Sequence, residues 1–173
     1  MKIYLVGYMG SGKSTIGPLL AEVLSYKFID FDTYITQKEG MSISEIFKNK
    51  GEIYFRKAES TYLQQLLEEE SEQVVVALGG GTPCYGTNLQ VLKDSDAQTV
   101  YLNWHFKTLA QRLWSAKEER PLIASMQSYE DLEDYVRKHL FERGFYYNQS
   151  DLVLKIEDQS PQEVVDSIKN SLL

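Results

Sequence analysis

The chain has 173 residues, 43% of them hydrophobic, and a net charge of −7 without a basic run. That is the size of one domain and lacks the electrostatic footprint of a general nucleic-acid binder. Its apolar stretches fall short of membrane-spanning length, and it enters its first strand at once, which predicts neither a membrane span nor a signal or transit peptide. The single cysteine, Cys84, excludes an internal disulfide and fits a reducing, cytoplasmic setting.

Lys2 to Val6 is a short apolar run rich in β-formers and predicts a buried strand. It leads into Gly7, four free positions, then Gly12, Lys13 and Ser14, the G-x-x-x-x-G-K-[ST] pattern of a phosphate-binding loop. Thr15 to Leu24 carries Ile16, Leu19, Leu20, Val23 and Leu24 at helical spacing, so the loop has the strand–loop–helix context it requires. Glycines let backbone N–H groups approach an anion, and a helix N-terminus favours phosphate. Lys13 supplies a point charge, and the Ser14 hydroxyl suits Mg²⁺. These residues predict a nucleotide site and leave open whether phosphate goes to water, to a substrate or nowhere. An acidic chain that handles polyphosphate has to gather its few cations there, which turns attention to the arginines.

Lys27 to Phe31 predicts a second strand, with Asp30 and Asp32 on one side of an extended segment at its carboxyl end, where open α/β sheets bind ligands. The pair reads as one carboxylate near Mg²⁺ and one near a substrate hydroxyl; a helix N-cap at Asp32 is the alternative. Gly40 stops the helix that follows. Ser42 and Glu45 form a capping box for a helix ending near Asn49, and a long helix runs from about Glu52 to Glu70 with Phe55, Ala58, Tyr62 and Leu66 as its apolar stripe. Within it Arg56 and Glu59 are an i,i+3 pair, which spacing alone reads as a solvated salt bridge. Val74 to Leu78 predicts a central parallel strand ending in Gly79-Gly80-Gly81-Thr82-Pro83. Three glycines weaken a strand end unless backbone must approach something closely, so we read a ligand-contacting loop, with Cys84 after it as a small buried residue.

Asn88 to Lys93 predicts a short helix, Thr99 to Leu102 a fourth strand, and Phe106 to Trp114 a helix with Arg112 on its polar side. Ser115 to Pro121 is polar and aperiodic, a surface loop whose Arg120 is either a lid cation or an ordinary surface charge. Ser128 to Tyr147 predicts a helix with Ser128 and Asp131 as a capping pair; it carries Arg143 and an aromatic cluster. Asp151 to Ile156 is a fifth strand, and a capping box at Ser160 and Glu163, with Pro161 at the first helical position, opens the last helix. His105 and His139 stand in no metal-ligand spacing. Strands alternating with helices predict an α/β fold, a five-stranded parallel sheet with helices on both faces.

Taken together, GYMGSGKSTIG (Gly7 to Gly17), FIDFD (Phe28 to Asp32), SISEIF (Ser42 to Phe47), GEIYFRKAE (Gly51 to Glu59), ALGGGTP (Ala77 to Pro83), RPL (Arg120 to Leu122) and the Arg143-to-Tyr147 segment resemble the shikimate kinases almost end to end. The resemblance implies a phosphate-loop NTPase of the nucleoside monophosphate kinase type. It implies one domain over residues 1–173, with the phosphate loop at 7–14, a substrate-binding subregion at about 32–60 and a lid at about 115–126. The implied reaction is ATP-dependent phosphorylation of the 3-hydroxyl of shikimate, with Mg²⁺ as cofactor.

By the same resemblance, Asp32, Lys13 and Arg120 would be catalytic, with Asp32 orienting or deprotonating the attacking hydroxyl and Arg120 meeting the transferring phosphoryl group. Gly10, Ser11, Gly12, Lys13, Ser14 and Thr15 would hold the phosphates, and Arg112 and Pro161 would sandwich adenine. Arg56, Arg143 and Gly79, Gly80 and Gly81 would hold shikimate, with Glu59 fixing Arg56. Ile43, Phe47 and Phe55 would line the ring's apolar side. Ser14 and Asp30 would serve the metal. The stretch from Arg112 to Arg120 is one residue longer than the family pattern, and Cys84-Tyr85-Gly86 is not a general family feature.

Gluconate and nucleoside monophosphate kinases share a phosphate loop and a lid but are not expected to combine D-F-D, F-R-K-A-E and G-G-G. Asn49-Lys50-Gly51-Glu52 approaches a guanine-binding motif but ends in Glu. A non-catalytic ATP-binding regulator is the remaining alternative, although Lys13 and Asp32 are both present. The expected partners are small molecules, shikimate and ATP, without nucleic acid or membrane, and the expected state is a monomer.

Overall fold

Lys2–Val6 (β1) and Val74–Ala77 (β3) are buried at every position, as strands covered on both faces must be. In the computed structural model, which describes residues 1–69, 73–120 and 122–173, they pair in parallel, Lys2 opposite Val74 and Leu5 opposite Ala77. Lys27–Asp30 (β2) pairs with β3, Ala97–Trp104 (β4) with β1, and Leu152–Ile156 (β5) with β4, all parallel. The sheet order is β2-β3-β1-β4-β5. The order reverses at β1, and in an open sheet that reversal opens a crevice at the carboxyl ends of the strands beside it.

The helices follow local signals. Lys13–Leu24 (α1) starts behind Gly12, whose φ of 89° is left-handed backbone that suits glycine. Phe31–Glu39 (α2) stops at left-handed Gly40. Ile43–Lys50 (α3) and Pro161–Leu172 (α8) each begin with a complete capping box, at Ser42 with Glu45 and at Ser160 with Glu163. Glu52–Glu69 (α4), Asn88–Asp94 (α5), Phe106–Ser115 (α6) and Tyr129–Tyr147 (α7) complete the set. Two single 3-10 turns stand at Thr82–Cys84 and Lys117–Glu119. One cluster of buried side chains, including Tyr4, Leu20, Phe31, Leu66, Val100 and Ile168, draws on both the strands and the helices.

Several expectations change, and β4 runs from Ala97 to Trp104 rather than from Thr99 to Leu102. Helix α1 begins at Lys13 rather than Thr15, so Lys13 and Ser14 occupy its first turn. Strand β2 ends at Asp30, and Phe31 and Asp32 already belong to α2, because the Asp30 carboxylate accepts from Thr33 N at 3.0 Å and caps the helix. Asp30 and Asp32 therefore do not share one side of an extended strand. Glu59, rather than Ala58, is buried with Phe55, Leu63 and Leu66. The polar stretch after α6 is ordered in part by its 3-10 turn. Glu70, the expected end of α4, and Pro121 lie outside the described residues. Among the described residues, no helix is long and apolar enough to cross a membrane.

Candidate active site

The loop from β1 folds back on itself so that Lys13 crosses it. Lys13 Nζ donates to Gly7 O at 2.6 Å and Tyr8 O at 3.0 Å. The amine is buried, and burial pushes it down to about 8. Beside it Ser14 Oγ donates to Asp30 Oδ2 at 3.3 Å, which pairs a hydroxyl and a carboxylate at the carboxyl end of β2. Hard oxygen donors of this kind suit Mg²⁺, which takes few protein ligands and keeps several waters. Among the described residues, no cluster of three or more His, Cys, Asp or Glu could hold a metal.

These groups open on a cavity of about 450 Å³ lined by residues 9–15, Asp30, Asp32, residues 77–80, Arg112 and Arg120. A second cavity of about 240 Å³, lined by Gly12, Thr15, Trp104, Arg112, Gln159 and Pro161 among others, shares the end of the phosphate loop. Arg112 borders both. Its guanidinium lies 3.9 Å from the centre of the Trp104 ring, and its Nη1 donates to Gly10 O at 3.3 Å. Trp104 in turn donates from Nε1 to Ser11 O at 2.8 Å. Pro161 lines the smaller cavity only.

The glycine loop after β3 is approached from three directions. A methyl group on Gly79 would sit 2.9 Å from Asp32 Oδ1. One on Gly80 would sit 3.3 Å from Arg143 Nη1, and one on Gly81 2.9 Å from Arg56 Nη1. Each glycine thus admits a different functional side chain against bare backbone, from α2, α7 and α4 respectively. Asp32 has its carboxyl raised above the ordinary range, by burial first and then by the charges of Asp30 and Glu59. Tyr147, buried on α7, donates to Gly80 O and fixes the loop from below.

Arg56 and Glu59 are not the solvated pair that spacing alone predicts. Glu59 is 1% exposed; its Oε1 accepts from Arg56 Nη1 at 2.9 Å and its Oε2 from Thr82 Oγ1 at 2.9 Å. Asn88 Nδ2 closes the network on Thr82 O at 2.9 Å. Thr82, Asn88, Trp104 and Tyr147 were not singled out from sequence as site residues. Thr82 and Tyr147 fall inside stretches that carry the resemblance, whereas Asn88, at the start of α5, and Trp104, at the carboxyl end of β4, have only their position as a signal. Cys84 is half-buried, and burial raises its thiol to about 11. Ile43 and Phe55 pack at the core, and Phe47, expected to share their apolar lining, is exposed but meets Phe55 with ring centres 4.7 Å apart and the rings tilted by 37°.

A family model described as shikimate kinase matches residues 9–173. The chain belongs to the shikimate kinase family. A shikimate kinase of Flavobacterium johnsoniae is 43% identical over 171 residues, 99% of this chain and 98% of that protein. The crystal structure of shikimate kinase from Bacteroides thetaiotaomicron superposes with a TM-score of 0.89 at 33% identity, covering 99% of this chain and 98% of that one. Shikimate kinase from Acinetobacter baumannii, solved in complex with shikimate, superposes with a TM-score of 0.84 at 32% identity, covering 99% and 95%. The five-stranded parallel sheet is that of the shikimate kinase phosphate-loop fold, and the chain is a kinase.

Proposed function

We propose that the chain transfers the γ-phosphoryl group of ATP to the 3-hydroxyl of shikimate by direct in-line displacement. The observation that carries this reading is the convergence of Asp32, Arg143 and Arg56 on the three glycines 79–81, next to the phosphate loop. A carboxylate and two guanidiniums facing bare backbone fit a small hydroxylated carboxylic acid. The solved complex of the A. baumannii relative with shikimate supports the same acceptor.

On this reading Arg56 and Arg143 fork the acceptor's carboxylate, a geometry a guanidinium matches better than an ammonium. Asp32 aligns the hydroxyl and takes its proton as the oxygen attacks phosphorus and the bond to ADP breaks. Its raised carboxyl lies nearer neutrality, as a base requires. Backbone N–H groups of residues 10–15 and the Lys13 ammonium hold the phosphates, and Arg120 adds positive charge at the group in transfer. Phosphoryl transfer needs positioning and charge neutralisation more than covalent help. Ser14 and Asp30 would hold Mg²⁺, which supplies further charge neutralisation on the phosphate oxygens. Arg112, propped by Trp104, and Pro161 bracket the smaller cavity as the place for adenine. Residues 1–173 act as one domain, with 115–126 as its lid.

An ADP-release assay with shikimate, gluconate, AMP and no acceptor tests the reading. Turnover should depend on shikimate. Turnover with gluconate or AMP in its place, or turnover indifferent to every acceptor, would overturn it.

A further inference from the structure

Tyr85 follows the glycine loop in the segment that departs from the family pattern, and the site described so far leaves it without a task. Its half-buried ring lies under Arg56, with the guanidinium carbon 3.7 Å from the ring centre; the other ring near that guanidinium, Phe55, is at 5.1 Å. A methyl group on Gly81 would sit 2.9 and 3.0 Å from Arg56 Nη1 and Nη2 and 3.2 Å from Tyr85 Cε2. The bare backbone of Gly81 is therefore what lets ring and guanidinium meet.

Arg56 is held in two different ways. Glu59 fixes its edge through Nη1. Tyr85 fixes its face and takes none of its N–H donors, since a ring face accepts the cation through its quadrupole. A second carboxylate at position 85 would also orient Arg56, but it would consume donors and cancel the charge that has to meet an incoming anion. Arg56 Nε is buried and has no hydrogen-bond partner among the described residues, so the Tyr85 ring face and the Glu59 carboxylate, rather than Nε, set the plane of the guanidinium. A long, rotamer-rich side chain immobilised before binding costs less to order when the ligand arrives.

We propose that Tyr85 is a positioning residue for acceptor binding, which stacks on Arg56 and holds its guanidinium plane ready for the acceptor's carboxylate. The inference rests on the reading that Arg56 binds that carboxylate. It gives Tyr85 an effect on acceptor affinity and none on the nucleotide, because its ring meets Arg56 and lies outside the lining of the cavity beside residues 10–15.

The test is steady-state kinetics of Tyr85→Phe, Tyr85→Leu and Tyr85→Gln beside Arg56→Lys. Removing the ring, with Leu or Gln, should raise the KM for shikimate about fivefold, the scale of one half-buried cation–π contact. The KM for ATP and kcat should stay within about twofold. Tyr85→Phe keeps the ring and should behave as the parent. A folding defect lowers the active fraction and hence kcat but leaves KM in place, and two ring-removing variants guard against loss of either one. An unchanged shikimate KM in Leu and Gln, or an equal rise in Phe, would overturn the proposal. If Arg56→Lys raises the shikimate KM while Leu and Gln do not, the stacking role alone fails. If Arg56→Lys leaves it unchanged, the assignment of Arg56 fails and this inference falls with it.

Discussion

In the half of the cleft proposed for the nucleotide, the groups assigned to phosphate are consecutive residues, 10–15, whereas in the half proposed for the acceptor Asp32, Arg56 and Arg143 come from α2, α4 and α7 and meet around Gly79 to Gly81. The first half is largely backbone. Its geometry follows from one strand, one glycine-rich turn and one helix N-terminus, and its support is short-range, with Lys13 bonded to Gly7 and Tyr8. The second half depends on side chains that meet distant partners: Glu59 bonds Thr82, Arg56 stacks on Tyr85, and Tyr147 holds the Gly80 carbonyl. A site of the first kind tolerates change in its surroundings and a site of the second kind does not. Substitutions should therefore separate the two halves kinetically.

The largest effect is expected at the boundary between them. Asp32→Asn keeps the shape of the side chain and removes the base, so kcat should fall about 10³-fold, within the range of general-base contributions. Calorimetric ATP affinity should stay within about twofold; unchanged turnover would remove Asp32 from the mechanism. Next comes Glu59→Ala, which leaves Arg56 and Thr82 without their shared partner. Breaking a buried ion pair costs about 3 kcal/mol, visible as a lower midpoint in urea, and the shikimate KM should rise about tenfold as Arg56 loses its edge support. A variant with the parent's midpoint and KM would show that the pair only decorates α4.

On the nucleotide side, Arg112→Ala should raise the KM for ATP about fivefold, the loss of one guanidinium stacked on a ring and bonded to the loop, and leave the shikimate KM alone. Movement of both constants together would break the division. The smallest effect concerns the 2.9 Å hydrogen bond between Tyr8 Oη and His139 Nδ1, which ties the loop after β1 to α7. Burial first, and then Arg143, lowers the His139 pKa below its ordinary 6.5. The unfolded chain therefore binds a proton that the folded chain refuses as pH falls below about 6.5, and stability drops there. His139→Gln should lose less of its melting temperature between pH 7 and pH 5 than the parent; an identical loss in both would remove His139 from the acid response.

The same division explains what could be read from the sequence. Ser42, Ser128 and Ser160 act as N-caps as their spacing predicts, and Gly12 and Gly40 bound helices, because caps and turns are decided within four residues. Asp32 is misplaced for a local reason: Asp30 ends the strand as expected and is still extended, but its side chain caps a helix that starts at Phe31, so Asp32 falls in the first helical turn. Arg56 and Glu59 were misread for a long-range one. Their spacing is that of any surface pair, and the further partner of Glu59, Thr82, comes from the loop after β3, where Asn88 in turn bonds the Thr82 carbonyl. Arg120 and Arg143 carry no local signal that separates them from other charges on an acidic chain. The family resemblance singled them out, and the fold puts Arg120 at the phosphate cavity and Arg143 beside Gly80. Trp104 lies beyond the expected fourth strand, Thr99 to Leu102, and the sequence attaches no signal to it; the observed strand runs on to include it.

The most direct test of a cleft with two separable halves, one of them reading a carboxylate with paired guanidiniums, is the KM for each substrate in Arg143→Lys. The charge is kept and only the fork is lost. The account predicts a shikimate KM raised about tenfold or more with the ATP KM within about twofold of the parent. A shikimate KM that does not move, or an ATP KM that rises in step with it, would contradict the account.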